Sequence, residues 1–322
     1  MKLIETYSLY LENEIKSLHF PVSPSHLYDP IRYFMTLGGK RMRPMLTLLS
    51  AELFGIQKEI ALPSALAVEI FHNFTLIHDD IMDEAPLRRN QETVHKKWNN
   101  NVAILSGDVL LVHAYQQLAK QDPSILPELL SLFNKTAVEV CEGQQMDMDF
   151  EEKETVSLQE YIEMIRLKTS VLLGCALEMG AIVANTSPEN KKLAYEFGQQ
   201  IGIAFQIQDD YLDLYGDAEK FGKQTGGDVL CDKKTFLQIK AKELGSPEQL
   251  KQMDQLRTET DPQQKIEQTK NLFEALNIPQ ITLEAINSYY KKGLESLALI
   301  EVNEEKKMAL KGIATHLLSR EN

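Results

Sequence analysis

Three aspartates that follow a long apolar stretch are the residues in this sequence with the clearest chemical potential. Asp79 and Asp83 are four positions apart, so on a helix they project side by side, with Asp80 next to them. Like charges at that spacing repel each other unless a cation lies between them. Carboxylate oxygens without cysteine or clustered histidine favour Mg²⁺ over zinc. Acidic runs are common on surface helices, so taken alone the spacing favours a solvated acidic surface over a metal site.

The same Asp-Asp-x-x-Asp pattern occurs a second time, at Asp209, Asp210 and Asp213. It again ends an apolar run, and a Gly216-Asp217 break follows it. Two apolar helices with matching acidic ends indicate two walls of one metal site. The repetition therefore favours a metal site over a solvated surface.

Apolar residues recur at helical spacing along almost the whole chain, and these helices must position the aspartates. Pro21, Pro24 and Pro30 predict a loop after the first helix, and the Gly-, Lys- and Asp-rich stretch 216–234 predicts another. Alternating β-strand patterns are essentially missing, so the predicted class is all-α. Helices are predicted at residues 3–19, 45–54, 63–83, 102–120, 127–146, 157–184 and 190–215.

Composition and charge limit the possible classes of function. The 322 residues have an ordinary globular composition and no linker-like stretch, which predicts a single domain over residues 1–322. A net charge of −13 argues against nucleic-acid binding. Three cysteines without metal-ligand spacing indicate reduced thiols and a cytoplasmic protein. The N-terminus lacks the apolar core of a signal peptide. The sequence contains no uninterrupted apolar run of about 18 residues, so no transmembrane segment is predicted.

Basic motifs accompany the aspartates, and together they resemble one enzyme family. From about residue 38 to 234 their order and spacing are similar to those of the trans-polyprenyl (isoprenyl) diphosphate synthases, most of all the short-chain geranylgeranyl and farnesyl diphosphate synthases. Besides both Asp motifs, the resemblance is carried by Gly38–Pro44, Arg88-Arg89, Lys168-Thr169, Phe205–Asp213, Lys223, Asp228 and Lys233. It implies a single large bundle of long helices around a deep central cavity, usually assembled as a homodimer.

The resemblance implies Mg²⁺-dependent head-to-tail condensation of isopentenyl diphosphate with an allylic diphosphate, namely dimethylallyl, geranyl or farnesyl diphosphate. Ionisation pulls a diphosphate anion off carbon, and Mg²⁺ held by carboxylates can neutralise that anion as it forms. Asp79, Asp83 and Asp209 are the expected metal ligands. The other three aspartates of the two motifs are expected to support them.

The catalytic residues that the resemblance implies lie on the allylic side of the site. Arg88 is expected to face the allylic diphosphate and Lys168 the departing diphosphate, with Thr169 and Gln206 beside the carbocation. The alternative for Lys168, a lone charge in an apolar run, is a side chain that merely snorkels to solvent.

Isopentenyl diphosphate needs an anion site of its own. Lys40, Arg43 and Arg89 are the candidates, because guanidinium groups bind phosphate oxygens in a bidentate fork. His72 shares a predicted helix face with Asp79, and the family uses the residue at this position for isopentenyl diphosphate. The alternative for His72 is a hydrogen-bonded core histidine.

Further features concern loops and helix ends. Lys223 and Lys233 are expected to close over the diphosphate as a lid, although without the motif context they would be read as surface lysines. Asn90 stands where the family usually has glycine, and asparagine tolerates left-handed backbone geometry. The acidic run 147–154 is expected to be a solvated helix end or loop. The pair Gly107-Asp108 matches a family feature without an assignable role.

Bulk at the positions four and five before the first Asp limits product length in the family, and here these positions are Thr75 and Phe74. A small residue with an aromatic neighbour resembles enzymes that stop at geranylgeranyl diphosphate. A C20 product is therefore favoured, followed by C15 and then by longer polyprenyl diphosphates.

Two rival functions remain. A class I terpene cyclase shares the helical fold and the first motif but usually carries Asn, Ser and Glu on the second wall, where this chain has aspartates. A non-catalytic subunit of a heteromeric prenyltransferase tends to lose Asp motifs that are intact here. Both features favour a synthase.

Overall fold

The computed structural model of the protein describes residues 2–216 and 226–318, and these are almost entirely helical, which confirms the all-α prediction. The first helices are α1 (Lys2–Lys16), α2 (Ser25–Thr36), α3 (Met42–Leu53), α4 (Lys58–Met82), α5 (Val94–Lys97), α6 (Asn100–Leu118), α7 (Leu126–Glu152) and α8 (Leu158–Ile165). A π-helical turn, Arg166–Ser170, then leads into α9 (Val171–Val183) and α10 (Pro188–Tyr215). The remaining described helices are α11 (Gly227–Leu230), α12 (Phe236–Leu244), α13 (Pro247–Arg257), α14 (Pro262–Ala275), α15 (Ile278–Leu299) and α16 (Glu304–Leu318).

The chain divides into two compact units. Unit 1 consists of Met1–Asn134, Cys175–Lys192 and Val302–Leu310. Unit 2 consists of Lys135–Gly174, Leu193–Glu301 and Lys311–Asn322. The first Asp motif belongs to unit 1 and the second to unit 2. The prediction of one domain over residues 1–322 stays a prediction.

Helix α4 is the central helix of unit 1 and ends in the first Asp motif. It packs against α3 and α6, and its side chains from Ala65 to Phe71 are buried without interruption, as in a helix that is apolar nearly all round. It begins at Lys58, so Pro63 lies inside it rather than at its start. Within the described residues α4 is the one helix long and apolar enough to cross a membrane, but 61% of its apolar window is buried inside the protein.

One prediction about local structure in unit 1 needs correction. The loop predicted around Pro21, Pro24 and Pro30 contains helix α2, with Pro30 inside it. This helix forms because it buries an amphipathic face that includes Ile31 and Phe34. Tertiary packing thus outweighs the penalty of an internal proline.

A small antiparallel hairpin follows the first Asp motif in unit 1. Strand β1 is Leu87–Arg88 and strand β2 is Gln91–Glu92. The two turn residues, Arg89 and Asn90, have φ angles of 53° and 62°, the left-handed pair that a type I′ turn requires. Asn90 therefore adopts the geometry expected of it in place of the usual glycine.

In unit 2 the predicted loop 216–234 is partly helical, because α11 occupies Gly227–Leu230. Its backbone is fastened to the end of α10: the amide N–H of Gly226 donates to the carbonyl oxygen of Asp213 at 2.6 Å. The amide N–H of Asp228 donates to the Asp213 carboxylate at 2.9 Å. Lys223, one of the two predicted lid lysines, lies outside the described residues.

Gly143 of α7 allows the π-helical turn of unit 2 to approach closely. A Cβ atom at this position would lie 2.6 Å from the Cα atom of Lys168 and 2.7 Å from the carbonyl carbon of Leu167. Those atoms belong to the backbone and cannot rotate away. A residue without a side chain is therefore required where α7 supports Lys168.

Gly143→Ala and Gly312→Ala test this close approach. The methyl group at position 143 must displace backbone, so we expect the free energy of unfolding to fall by about 1–3 kcal/mol. At Gly312, inside α16, a Cβ atom would meet nothing within 4 Å, so alanine should stabilise the protein by about 1 kcal/mol. Denaturant unfolding measures both changes, and equal stabilities of the two variants would contradict the packing described.

Candidate active site

The first Asp motif lies at the C-terminal end of α4. Asp83 caps the helix, and its amide N–H donates to the carbonyl oxygen of Asp79 at 2.8 Å, so one helical turn still relates the two residues. Asp79 is partly buried and Asp83 is exposed. The negative end of the helix dipole adds to their charge, and this combination favours a bound cation.

Asp80, between them, has a partner within the protein. It is buried, and its two carboxylate oxygens accept from Nε of Arg88 at 2.8 and 3.0 Å. Nη2 of Arg88 lies 2.7 Å from the same carboxylate. Burial raises the pKa of Asp80, and Arg88 offsets only part of that rise. Asp80 therefore fixes the orientation of Arg88, whose expected role toward the allylic diphosphate stays a prediction.

The helix end is also held from α6. Nε2 of His78 lies 3.2 Å from the carbonyl oxygen of Ile104 and 3.9 Å from the Asp108 carboxylate. A Cβ atom on Gly107 would come within 2.6 Å of the His78 ring. The pair Gly107-Asp108, which had no assignable role in the sequence, thus provides the space and a facing carboxylate for the residue that precedes Asp79.

A cluster of cations surrounds His72 in unit 1, two turns before Asp79. Nη1 of Arg43 lies 3.1 Å from Nε2 of His72. Arg89 donates to the carbonyl oxygen of Gly38, and its guanidinium occupies the space above Gly39. Lys40, the fourth predicted member, is exposed on the same turn. Three of the four predicted isopentenyl diphosphate residues are therefore directly linked to the Gly38–Arg43 segment or to one another.

His72 is neutral in this surrounding. Burial lowers its pKa well below 6.5, and the positive charges of Arg43, Arg89, Arg88 and Arg41 lower it further. A neutral imidazole can hydrogen-bond within the cluster without adding a further positive charge. The net charge of the cluster is still strongly positive, which suits a multiply charged anion.

In unit 2 the second Asp motif repeats the arrangement of the first. Asp210 is buried and accepts from the Tyr161 hydroxyl at 2.6 Å and from the amide N–H of Phe236 at 3.0 Å. Burial raises the pKa of Asp210 to about 6, although those hydrogen bonds and Lys233 lower it in part. Asp209 is only partly buried, and the Asp213 carboxylate accepts a hydrogen bond from the amide N–H of Asp228.

The two predicted catalytic residues of the π-helical turn have different partners in unit 2. Nζ of Lys168 forms an ion pair with Asp147 of α7 at 2.6 Å. The Thr169 hydroxyl donates to Oε1 of Gln206 on α10 at 3.1 Å. Asp147 was expected to be part of a solvated helix end, and that expectation is wrong for this residue, because it neutralises a partly buried lysine. The hydrogen bond brings Thr169 and Gln206 together, and their predicted place beside the carbocation stays a prediction.

Sequence reasoning missed Asp147 and Tyr161 as site residues. A lone charge such as Lys168 in an apolar run needs a counter-charge, so the sequence predicts that an acidic partner exists. It does not indicate which acidic residue that partner is. Tyr161 gives no signal, because its contact to Asp210 spans 49 positions and depends on how α8 meets α10. Of the two predicted lid lysines, Lys233 lies within the described residues. Its side chain is exposed, and its Nζ lies 3.9 Å from Oδ1 of Asp228.

The donor chemistry of both motifs fits a hard divalent cation. Asp79, Asp83 and Asp209 offer only carboxylate oxygens, the ligands that Mg²⁺ prefers. Asp80, Asp210 and Asp213 already accept from protein donors, as supporting carboxylates do. In the part of the chain that the structure describes, no group of three or more His, Cys, Asp or Glu side chains is close enough together to hold a metal ion. The metal assignment stays a prediction.

Known proteins with similar sequence and structure identify the family. The polyprenyl synthetase family pattern matches residues 24–276. The chain belongs to the polyprenyl synthetase family. It is a prenyltransferase, and more specifically a prenyl diphosphate synthase.

Three relatives of this synthase extend over nearly all of its length. The geranylgeranyl diphosphate synthase of Methanosarcina mazei is 38% identical over 99% of this chain and 97% of its own. The geranylfarnesyl diphosphate synthase of Natronomonas pharaonis is 33% identical over 96% of this chain and 94% of its own. A crystal structure of a geranylgeranyl pyrophosphate synthase superposes with a TM-score of 0.92 at 44% identity, covering 100% of this chain and 99% of that one.

His72→Gln tests the electrostatics of the synthase's cation cluster. Because the folded state lowers the pKa of His72 below 6.5, the unfolded chain binds a proton that the folded chain does not. Stability is then complete above pH 6.5 and falls as the pH drops below it, by at most about 1.4 kcal/mol per pH unit. Glutamine does not titrate, so the variant should lose less stability between pH 6.5 and pH 5 in urea unfolding. An unchanged pH slope in the variant would contradict this account of His72.

Proposed function

We propose that the protein condenses isopentenyl diphosphate head to tail with an allylic diphosphate in a Mg²⁺-dependent reaction, and that its main product is geranylgeranyl diphosphate. One observation in unit 1 carries this proposal: a paired carboxylate site and a separate cation cluster share helix α4. Asp79 and His72 are seven residues apart, which is about 10 Å along a helix. The spacing supports two anionic groups bound side by side, one through metal and one through basic side chains alone.

The reaction breaks the C–O bond of the allylic substrate, and the electron pair leaves with the diphosphate. Mg²⁺, when bound by Asp79, Asp83 and Asp209, supplies positive charge that stabilises the departing anion. Arg88, fixed by Asp80, and Lys168, fixed by Asp147, add cations that are already oriented before the bond breaks.

The double bond of isopentenyl diphosphate then attacks the remaining carbocation and forms the new carbon–carbon bond. The cationic adduct loses a proton to the released diphosphate anion, which leaves a new double bond. The Thr169 hydroxyl donates to Gln206, so the oxygen lone pairs of Thr169 are available to face positive charge on carbon. Arg43, Arg89 and Lys40 hold the diphosphate of the second substrate. His72, being neutral, accepts from Arg43 and orients that guanidinium.

The rival functions use fewer of these features. A terpene cyclase consumes one diphosphate substrate and has no need of the cation cluster around His72. A non-catalytic subunit has no need of two complete Asp motifs. The relatives named above are called synthases of geranylgeranyl and geranylfarnesyl diphosphate. These names support geranylgeranyl diphosphate as the main product and make the longer geranylfarnesyl diphosphate the second candidate.

Incubation with Mg²⁺, isopentenyl diphosphate and, in turn, dimethylallyl, geranyl and farnesyl diphosphate tests the proposal. We expect diphosphate release with at least one primer, a C20 product by chromatography, and loss of both on chelation of the metal. Asp79→Asn should lower the rate by about two orders of magnitude, the scale on which loss of an electrostatic stabiliser acts. No diphosphate release with any primer would reject the synthase proposal.

Phe74, one of the two proposed chain-length residues, belongs to an aromatic row on α4, and this supports its proposed role. The Phe74 ring lies 5.6 Å from the Phe71 ring and 4.7 Å from the His78 ring, and Phe71 is backed by Phe133 at 5.1 Å. Thr75 is small, and its hydroxyl donates to the carbonyl oxygen of His72 at 2.9 Å. Phe74 is therefore the bulkier of the two positions, and its neighbours hold it in place.

Phe74→Ala should lengthen the product beyond C20, because a large-to-small change leaves apolar space that a longer chain can fill. Thr75→Val is the matched control, since it replaces the hydroxyl by a methyl group at almost the same volume, and its product should stay C20. The product distribution from farnesyl diphosphate, separated by reversed-phase chromatography, measures both. A C20 product from Phe74→Ala would reject Phe74 as a limit on chain length.

A homodimer and a cytoplasmic location complete the proposal. Leu105 and Val112 are 58% and 55% exposed and lie seven positions apart on one side of α6, which supports an apolar contact with a second copy. The three cysteines, Cys141, Cys175 and Cys231, are an odd number without metal-ligand spacing, which supports a reducing compartment.

A further inference from the structure

The segment Gly38–Arg43, which leads from the end of α2 into the first turn of α3 in unit 1, adopts an unusual backbone conformation. Gly38, Gly39 and Arg41 have φ angles of 78°, 135° and 48°. Positive φ suits the two glycines, but it is disfavoured for a residue that carries a Cβ atom such as Arg41. Surrounding contacts must therefore hold Arg41 in this conformation.

Those contacts are made by a buried arginine side chain. Nη1 of Arg41 forms an ion pair with Oε1 of Glu69 at 2.5 Å, and Nη2 donates to the carbonyl oxygen of Met35 at 2.9 Å. The side chains of Arg41 and Glu69 are 2% and 4% exposed. Arg41 is thus unlike Lys40 beside it, which is exposed, and it cannot reach a ligand in solvent.

Glu69 is itself fixed within α4. Nδ2 of Asn73, one turn further along the helix, donates to Oε1 of Glu69 at 3.0 Å and to its carbonyl oxygen at 2.7 Å. Asn73 is completely buried. The carboxylate that receives Arg41 is therefore held from its own helix, so it gives the Gly38–Arg43 segment a rigid point of attachment.

Two parallel contacts join the segment to α4. Arg41 meets Glu69, and two residues later Arg43 meets His72, which lies three positions after Glu69 on the same helix. Residues three apart are neighbours on a helix face, so the two contacts lie next to each other. The Arg41–Glu69 contact is buried, whereas the Arg43–His72 contact belongs to the cation cluster.

We propose that the buried Arg41–Glu69 ion pair is the positioning device of the isopentenyl diphosphate site. It fixes the position and orientation of the Gly38–Arg43 segment relative to α4, so that Lys40, Arg43 and Arg89 can bind the same diphosphate. Arg41 and Glu69 are positioning residues, because neither touches substrate. The identity of the ligand, though not the role of the pair, rests on the function proposed above.

Glu69→Gln and Arg41→Met test the proposal by steady-state kinetics on the full-length protein. We expect the KM for isopentenyl diphosphate to rise about tenfold, while the KM for the allylic diphosphate changes less than twofold. Arg41→Lys keeps the charge but loses the second donor to Met35, so its KM should lie in between. Lys191→Met is the matched control, because it removes another largely buried, ion-paired cation of unit 1, which lies 2.8 Å from Glu128, and should alter neither KM.

A double variant separates positioning from folding. In Arg41→Met with Glu69→Leu both buried charges are replaced by apolar side chains, so the melting temperature should recover relative to the single variants. The KM for isopentenyl diphosphate should nevertheless stay raised, because nothing orients the segment. Recovery of that KM together with the melting temperature would show a purely structural role and overturn the proposal, as would single variants that fold with both KM values unchanged.

Calorimetric titration with isopentenyl diphosphate, without Mg²⁺ or allylic substrate, distinguishes failure of this inference from failure of the proposed function. We expect the Kd of Glu69→Gln to be about tenfold that of the parent protein. A parent that binds but never turns over would reject the synthase proposal and leave this ratio as the test of the ion pair. Equal Kd values, or no binding by the parent, would overturn the inference.

Discussion

The structure depends on one electrostatic constraint, which is the cost of gathering carboxylates at a helix end without a positive partner. Each Asp motif meets it in the same way. The middle aspartate is buried and accepts from protein donors: Arg88 in the case of Asp80, and Tyr161 with a backbone amide in the case of Asp210. The aspartates that precede them remain partly exposed. Folding and ligand binding are therefore assigned to different carboxylates of the same motif.

The same division of labour holds for the cations. Arg41 is buried against Glu69, whereas Arg43 on the other side of Met42 faces the cluster around His72. Lys168 is oriented by Asp147 before any substrate arrives. Preorganised charges of this kind stabilise a developing anion without having to reorganise during the reaction. The residues proposed to bind substrate thus belong to a larger set of paired charges.

Much of this arrangement could be predicted from the sequence, because the signals were local. The apolar period of α4 and α10 gave the helices, and the repeated acidic ends gave the candidate site residues. The boundaries shifted where tertiary packing overrode local preference, as in α2, which buries Ile31 and Phe34 despite Pro30. The hairpin after the first motif was missed because two-residue strands leave no alternating pattern, although Asn90 marked its turn.

The partners of the charged residues could not be predicted, because they come from distant parts of the chain. Asp147 precedes Lys168 by 21 positions, and nothing in the acidic run 147–154 distinguishes it from its neighbours. The contact of Tyr161 with Asp210 requires knowledge of how two helices pack. Periodicity says which face of a helix is apolar, but it does not say which helix covers that face.

The π-helical turn Arg166–Ser170 has a consequence for how this protein tolerates changes in length. It closes hydrogen bonds five residues apart instead of four, so Lys168 and Thr169 keep their separate partners through an extra residue in the turn. Deleting one residue there would leave an ordinary α-helical turn, which has one position fewer. The shorter turn could not present both Lys168 and Thr169 to their present partners, Asp147 and Gln206. In this segment the number of residues is as strict a requirement as their identity, and a single-codon deletion would be more damaging than most substitutions.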